Sequence, residues 1–405
     1  MDTEYKKKLE ALGVYFGSKD SFDFKSNKKD ITKILPGIRK SNSLGEYFFA
    51  EHQYTSNYIH GSIPFDLFFQ SNSVYSTPET DSTFDLNKCI FLDTETTGLS
   101  TSGGTFAFMV GIGWFEENHF ALRQYFLTSP VQEEAMLLDL ENLLSMHQNI
   151  VTYNGISFDI PILRSRFKYH RIPTTIIQKR QIDLLKYARM LFRYQFDNRS
   201  LKSIESKVLN FSRSEEEIPG YLAPVIYQEY LKTGETQDII GVFYHNEMDV
   251  ISLAALLRII DEVANEKDQL FSTYETLHFS LARQFERNRE YSKAIDSYSK
   301  ALEQPKLPEA IRLTCYLCLA NIYKKTSQVE KAMFFWGLAT EFGSIESLIE
   351  LAKIFEHKLK NYELALDYCK KALLLLDNDV NSIKRTVFLD QIDYRMERLK
   401  AKGRL

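Results

Sequence analysis

The most chemically suggestive part of the chain is residues 93–99, which read Asp-Thr-Glu-Thr-Thr-Gly-Leu. They follow the apolar run 89–92, which predicts a buried strand. Side chains alternate between the two faces of a strand, so we expect Asp93 and Glu95 to lie on the same face. Neighbouring carboxylates repel each other unless a cation lies between them, and Mg²⁺ and Mn²⁺ prefer oxygen ligands. This stretch therefore predicts half of a divalent-metal site.

Two later stretches can supply the other half of the site. Asp159 follows a short predicted strand at 150–153 and opens the next predicted helix, where its carboxylate can cap that helix and face the first strand. His245 and Asp249 lie four residues apart in a helical pattern, so they share one helix face. The candidate set is thus four carboxylates and one histidine from three separate segments.

In this order and spacing, the three segments resemble the DEDD superfamily of 3′→5′ exonucleases, which is named for its four acidic positions. The resemblance covers residues 90–255. Its motifs are Asp-x-Glu at a strand end, Asn-Gly-x-x-Phe-Asp at 154–159 and His-x-x-x-Asp at 245–249. The chain around 218–220, 230–231 and 245–250 further resembles the YprB-like bacterial branch, whose members can carry tetratricopeptide repeats behind the nuclease domain.

The resemblance implies a hydrolase that cleaves phosphodiester bonds at a 3′ end, using two ions of Mg²⁺ or Mn²⁺. Asp93 would bridge the ions. Glu95 and Asp159 would complete one site, and Asp249 would anchor the other. His245 would accept the proton of the attacking water. The residues implied to contact the last two nucleotides of a single-stranded 3′ end are Thr96, Gly98, Leu99, Asn154 and Phe158.

The third motif departs from the family pattern in its register. The histidine branch of the superfamily has its base five positions before the last aspartate, and the tyrosine branch has it four positions before. Here Tyr244 stands five positions before Asp249 and His245 stands four before it. We favour His245 because residues i and i+4 share a helix face. Tyr244 stays a second candidate, although a core aromatic is the simpler interpretation.

The pattern of elements predicts a ribonuclease-H-like α/β domain over residues 86–265. Strands are predicted at 90–94, 106–115 and 120–127, then a helix at 131–146, a strand at 150–153 and helices at 161–170, 183–194, 200–209, 222–232 and 237–263. Three antiparallel strands, a helix, a further strand and then helices is the order of that fold. Residues 1–85 show no clear periodicity, so we expect an irregular N-terminal extension.

From residue 271 to 405 the pattern is purely helical. Three segments align with each other, and Ala294, Ala332 and Ala365 mark steps close to the tetratricopeptide period of about 34 residues. Small residues are needed where paired helices pack closely. We therefore predict tetratricopeptide-like helical repeats that recruit a protein partner or guide substrate. A generic helical bundle is the alternative.

Composition places the chain among ordinary globular proteins, with 44% hydrophobic and 26% charged residues. Residues 1–270 hold 28 basic and 36 acidic residues, whereas 271–405 hold 22 and 18. Four scattered cysteines predict no disulfide framework, the N-terminus is polar, and apolar runs fall short of a membrane span. We expect a cytoplasmic protein with no membrane partner.

Two other functions stay compatible with the same residues. One is a nucleic-acid-binding adaptor with little turnover, although such a domain gains nothing from four mutually repelling carboxylates. The other is a structure-specific endonuclease that uses the same metal site. The sequence does not discriminate DNA from RNA, because that choice depends on 2′-hydroxyl contacts.

Overall fold

The computed structural model describes residues 31–33, 35–70, 73–78, 80–98, 104–214, 217–234, 237–378 and 384–403. Within these ranges the chain forms two compact units. The first unit runs up to Arg189 and resumes over Phe196–Glu266. The second unit consists of Met190–Gln195 and of the chain from Lys267 onward.

The described strands all belong to the first unit. They are β1 (Gly37–Asn42), β2 (Gly45–Thr55), β3 (Ile59–His60), β4 (Ile63–Pro64), β5 (Val74–Thr77), β6 (Thr80–Asp85), β7 (Cys89–Thr96), β8 (Ala107–Phe115), β9 (His119–Phe126), β10 (Asn149–Thr152) and β11 (Arg180–Asp183). Seven of them form one mixed sheet in the order β1-β2-β9-β8-β7-β10-β11. Strand β7 pairs antiparallel with β8 and parallel with β10. The strand that carries Asp93 and Glu95 therefore lies inside the sheet.

The helices of the first unit flank this sheet. They are α1 (Asp66–Gln70), α2 (Glu133–Ser145), α3 (Asp159–Tyr169), α4 (Leu184–Leu191), α5 (Leu201–Ile204), α6 (Ala223–Thr233) and α7 (Gln237–Ala264). Helix α4 ends within the second unit. A π-helical turn over Glu205–Leu209 follows directly after α5. The predicted mixed sheet flanked by helices is confirmed. The strands β7 to β10 are largely buried in it, as their apolar sequences predict.

Helix α7 is the central helix of the first unit. It packs on β7, β8 and β9 and is buried along most of its length. By length and composition alone it could cross a membrane, but 72% of its most apolar 18-residue window is buried inside the fold. A helix that is apolar on nearly every side is expected at the core of a globular domain.

The N-terminal region is more regular than the sequence analysis expects. Residues 1–30 lie outside the described residues, but β1 and β2 extend the main sheet beyond β9. The four consecutive residues Tyr47–Ala50 of β2 are all buried. Burial on both faces removes the alternation of apolar and polar residues by which a strand is recognised. The expectation of an irregular extension is therefore wrong for this part of the chain.

Strand β11 was also missed. It pairs parallel with β10 at the edge of the sheet, where the sequence predicts the start of a helix at residue 183. Its sequence is Arg-Gln-Ile-Asp, and Ile182 is its one buried residue. A short edge strand with so little apolar character leaves no periodic signal.

The second unit is helical throughout its described residues. Its helices are α8 (Asp268–Thr273), α9 (Leu277–Arg287), α10 (Tyr291–Glu303), α11 (Glu309–Lys325), α12 (Val329–Glu341), α13 (Ile345–His357), α14 (Tyr362–Asn378) and α15 (Lys384–Gly403). From α9 onward, each helix packs on the next. Ala294, Ala332 and Ala365 are fully buried in α10, α12 and α14. The predicted run of helices is confirmed, while its tetratricopeptide class stays a prediction.

Candidate metal site

Strand β7 and helix α7 meet through a buried amide. Asn246 on α7 donates to the Asp93 carboxylate at 2.9 Å and to the Asp93 backbone oxygen at 3.3 Å. Its own side-chain oxygen accepts from Gln124 of β9 at 2.9 Å. Gly111 of β8 permits this approach, because a Cβ there would lie 2.2 Å from Asn246 Oδ1. Helix α7 therefore lies directly against the strand that carries the first two carboxylates.

Three of the predicted residues form one tight cluster. The ligand atoms of Glu95, His245 and Asp249 all lie within 4.8 Å of one another. His245 Nε2 lies 3.2 Å from Asp249 Oδ2 and 3.8 Å from Glu95 Oε1. Carboxylate oxygens and imidazole nitrogen are donors that divalent cations accept, Mn²⁺ included. These donors therefore fit a divalent cation.

Asp159 lies beside β7, next to Thr94. It is the first residue of α3 and is 9% exposed. Its Oδ1 accepts a hydrogen bond from Thr94 Oγ1 at 2.5 Å, so the carboxylate lies against β7. Burial raises the pKa of Asp159 to about 6, and the Thr94 hydrogen bond opposes that rise.

The carboxylates of this site make the ionisation of their neighbours less favourable. Burial is the main cause that places the pKa of Asp93 well above its usual range, and the charges of Asp249 and Asp159 add to it. Burial likewise raises the pKa of Glu95, and the charges of Asp93, Asp249 and Asp159 raise it further. Arg213 opposes both shifts. Ionising these carboxylates together is therefore unfavourable, and a divalent cation would offset their negative charge.

Arg213 is a residue of the site that the sequence analysis missed. Its side chain is 3% exposed. Nε and Nη2 donate to the two carboxylate oxygens of Glu205 at 2.8 and 2.6 Å, and Nη2 also donates to Asp249 Oδ1. Nη1 lies 3.0 Å from His245 Nδ1 and 3.3 Å from Glu217 Oε1. The guanidinium therefore contacts two members of the cluster directly.

No sequence motif predicts a role for this arginine. It lies in an irregular stretch between the Glu205–Leu209 turn and α6, and a basic residue in such a stretch is ordinarily solvated. Its importance follows from its contacts with His245 and Asp249, which lie 32 and 36 positions further along the chain. A signal in the sequence exists only for those partners that belong to the His-x-x-x-Asp motif.

The two candidates for the base occupy different environments. His245 lies in the acidic cluster, as described above. The hydroxyl of Tyr244 accepts a hydrogen bond from the Ser214 backbone amide at 3.1 Å. Tyr244 therefore contacts the stretch that carries Arg213, whereas His245 contacts the carboxylates.

Two of the three residues proposed for the terminal nucleotide lie at the end of β7. Thr96 and Gly98 are half-buried, and Thr96 Oγ1 donates to the Gly98 backbone oxygen at 2.8 Å. Leu99 lies outside the described residues. Between β7 and β8 the pairing register shifts at Glu95 and Thr96, which separates the end of β7 from regular pairing.

The two residues proposed for the second nucleotide lie between β10 and α3. Asn154 adopts a left-handed backbone with φ +66°, and its amide donates to Asp183 Oδ1 at 2.8 Å. Phe158 immediately precedes α3 and is 41% exposed, which is unusual for a phenylalanine. The same Asp183 oxygen accepts from the amide of Leu185, so it ties this loop to the start of α4.

Comparisons with known proteins agree with this architecture. A family model described as the RNase H superfamily matches residues 90–260. The chain is 31% identical over 327 residues to the uncharacterized protein YprB of Bacillus subtilis (strain 168), covering 79% of this chain and 76% of YprB. A solved family B DNA polymerase from the archaeon Pyrobaculum calidifontis matches with 14% identity and a TM-score of 0.34. That match covers 56% of this chain and 29% of the polymerase, a likeness too low to bear on function.

Proposed function

Because this chain belongs to the RNase H superfamily as a YprB-like protein, we propose that it is a divalent-metal-dependent nuclease that removes nucleotides from a 3′ end. The observation that carries the proposal is the cluster of Glu95, His245 and Asp249, with their ligand atoms within 4.8 Å of one another. Asp93 and Asp159 complete the acidic surroundings of this cluster.

The residues that would hold the metal are Asp93, Glu95, Asp159 and Asp249, with two ions of Mg²⁺ or Mn²⁺ as the expected number. When bound, such ions lower the pKa of a coordinated water and stabilise charge on phosphate and leaving-group oxygens. The raised pKa values of Asp93 and Glu95 support this assignment, because repelling buried carboxylates favour a cation.

His245 would accept the proton of the attacking water at Nε2, which requires the ring proton on Nδ1, facing Glu217 Oε1 at 3.6 Å, instead of a hydrogen bond from Arg213 to Nδ1. Its position beside Asp249 and Glu95 supports that role over the alternative base, Tyr244, which contacts Ser214. Exchanging these two residues individually for Ala and Phe, respectively, would separate the candidates by their rates.

The substrate would be a nucleic acid 3′ end. Thr96 and Gly98, together with Leu99, would contact the terminal nucleotide through backbone and apolar atoms. Asn154 and Phe158 would contact the next one. The exposed ring of Phe158 supports this, since aromatic rings stack on bases without sequence preference.

The helical second unit would recruit a protein partner or guide the substrate, as stacked helical pairs commonly present extended surfaces. The in-phase buried alanines of α10, α12 and α14 support a repeat of the tetratricopeptide type.

The deciding experiment incubates purified protein with 5′-labelled single-stranded DNA and RNA oligonucleotides and Mn²⁺. We expect a ladder of products that shortens stepwise from the 3′ end, and a parallel substrate blocked by a 3′-phosphate should stay intact. Discrete internal fragments from both substrates would instead indicate an endonuclease. Binding without cleavage at any metal concentration would indicate an adaptor.

A further inference from the structure

Arg213 and the chain of buried groups behind it have no place in the nuclease motifs. The geometry points to Arg213 as the positioning residue of the metal site, kept in place through Glu205, Ser252 and His60. This inference rests on the proposed function, because it concerns the same carboxylates and the same histidine.

Arg213 determines which oxygen of Asp249 faces the cluster. Its Nη2 donates a hydrogen bond to Asp249 Oδ1, whereas Asp249 Oδ2 lies 3.2 Å from His245 Nε2. Its Nη1 contacts the other nitrogen of the same ring, Nδ1, at 3.0 Å. One planar guanidinium thus orients a carboxylate of the site and lies beside its imidazole. Partners of metal ligands typically orient those ligands in this way.

Arg213 is itself fixed by a buried carboxylate. Glu205 is 1% exposed and accepts two hydrogen bonds from the guanidinium, a paired geometry that fixes the plane of the arginine. Ser252 Oγ on α7 donates to Glu205 Oε1 at 2.6 Å. Burial raises the pKa of Glu205, while its bonds from Arg213 and Ser252 oppose that rise.

The chain of hydrogen bonds continues into the N-terminal region. His60 Nε2 lies 2.8 Å from Ser252 Oγ, and the Tyr58 hydroxyl lies 3.2 Å from His60 Nδ1. His60 is fully buried, and its ring lies 4.0 Å from the Phe211 ring. Since the Ser252 hydroxyl proton is used on Glu205, Ser252 accepts from His60 Nε2. Each polar atom of this chain therefore has a defined partner.

A glycine allows the N-terminal loop to approach this closely. Gly61 has φ +60°, and a Cβ there would lie 2.0 Å from the Leu209 backbone oxygen. The Ser62 amide donates to that same oxygen at 2.7 Å. The loop is thus hydrogen-bonded to the turn that carries Glu205. This contact explains how His60 and Gly61 can support a site whose residues lie far from them in sequence.

The test measures Mn²⁺ affinity by titration calorimetry, without substrate, in wild type and in Arg213→Lys. Lysine keeps the positive charge but lacks the planar fork that donates to Glu205 and Asp249 at the same time. We expect the Mn²⁺ dissociation constant to rise by about tenfold or more. Arg287→Lys, at an exposed position of α9, is the matched control and should keep the wild-type value.

A second variant keeps the test decisive if Arg213→Lys does not fold. Ser252→Ala leaves the arginine in place and removes one donor to Glu205, so we expect a smaller rise in the same direction. Wild-type binding with unchanged or tighter affinity in the variants that fold would overturn this inference alone. A wild-type protein that binds no Mn²⁺ would refute the proposed function and this inference together.

Discussion

The two units of the molecule each bury carboxylates, but they treat the charge in opposite ways. In the first unit, the charges of Asp159 and Asp249 raise the pKa values of Asp93 and Glu95, and the positive charge of Arg213 opposes these shifts. In the second unit, the buried Glu356 carboxylate receives hydrogen bonds from a set of basic residues on α15, namely Arg395, Arg398 and Lys402.

The pKa shifts express this difference. Burial works against ionisation of Glu356, but hydrogen bonds from Arg398 and Lys402 and nearby positive charges outweigh it and lower the pKa to about 2. In the first unit, burial and like charges act together and raise the pKa values of Asp93 and Glu95. A buried carboxylate whose charge is neutralised stabilises a fold, whereas repelling ones indicate a site that takes a cation.

The largest expected effect concerns the first unit. Asp93→Asn should lower nuclease activity by about a thousandfold or more, since losing a metal ligand costs several kcal/mol of transition-state stabilisation. The metal-free protein should be equally stable or more stable, because one repelling charge is removed and asparagine can still accept from Asn246.

Oligonucleotide cleavage and thermal unfolding in a chelator measure both parts of this prediction. Glu117→Gln, at an exposed position between β8 and β9, is the control and should change neither property. Activity above a tenth of wild type in Asp93→Asn would remove Asp93 from the site.

The next effect concerns the second unit. Glu356→Gln should lower its free energy of unfolding by about 2–3 kcal/mol, because the three basic partners lose their buried counter-charge, although solvent at their exposed parts reduces that cost. Cys89 is buried in the first unit and Cys315 in the second, so pulsed thiol labelling in urea reads each unit separately. The midpoint at Cys315 should fall and that at Cys89 should not. Glu346→Gln, exposed on the same helix, is the control.

The smallest effect is a difference in pH dependence. The folded pKa of Asp159 is about 6, above its value of about 4 in an unfolded chain, so its ionisation costs stability from about pH 4 upward, and this cost is complete above about pH 6. In a chelator, wild type should be less stable than Asp159→Asn at pH 7.5, by up to about 3 kcal/mol. This gap should fall to about half at pH 5 and close near pH 4. Titrating groups that do not interact with Asp159, such as His60, cancel when the two proteins are compared.

Glu356 should show the opposite sign. Its folded pKa lies below the unfolded one, so its contribution is present above about pH 4.5 and is lost as the pH falls toward 2. The advantage of wild type over Glu356→Gln should therefore persist at pH 5. Labelling with a thiosulfonate reagent, which reacts in mild acid, follows Cys89 and Cys315 across this range. A gap for Asp159→Asn that widens on acidification would contradict the charge comparison.

Local pattern accounts for the parts of the fold that were predicted. The strands β7 to β10 and the long helix α7 have strong apolar character over many residues, so their type and approximate bounds followed from periodicity. The pairing of His245 with Asp249 likewise follows from a four-residue spacing on one helix. Strands β2 and β11 lack such a pattern, and their place in the sheet depends on neighbours distant in sequence.

Residue types and spacing alone identify the candidate metal ligands and predict which of them share a strand or a helix face, because the backbone periods of two and 3.6 residues set those relations. The packing of the folded chain is needed to see that Arg213 lies between Asp249 and Glu205, and that His60 contacts Ser252. The contacts of Arg213 with Asp249 and of His60 with Ser252 join residues 36 and 192 positions apart. No local period connects them, so they exist only once the sheet and α7 have packed.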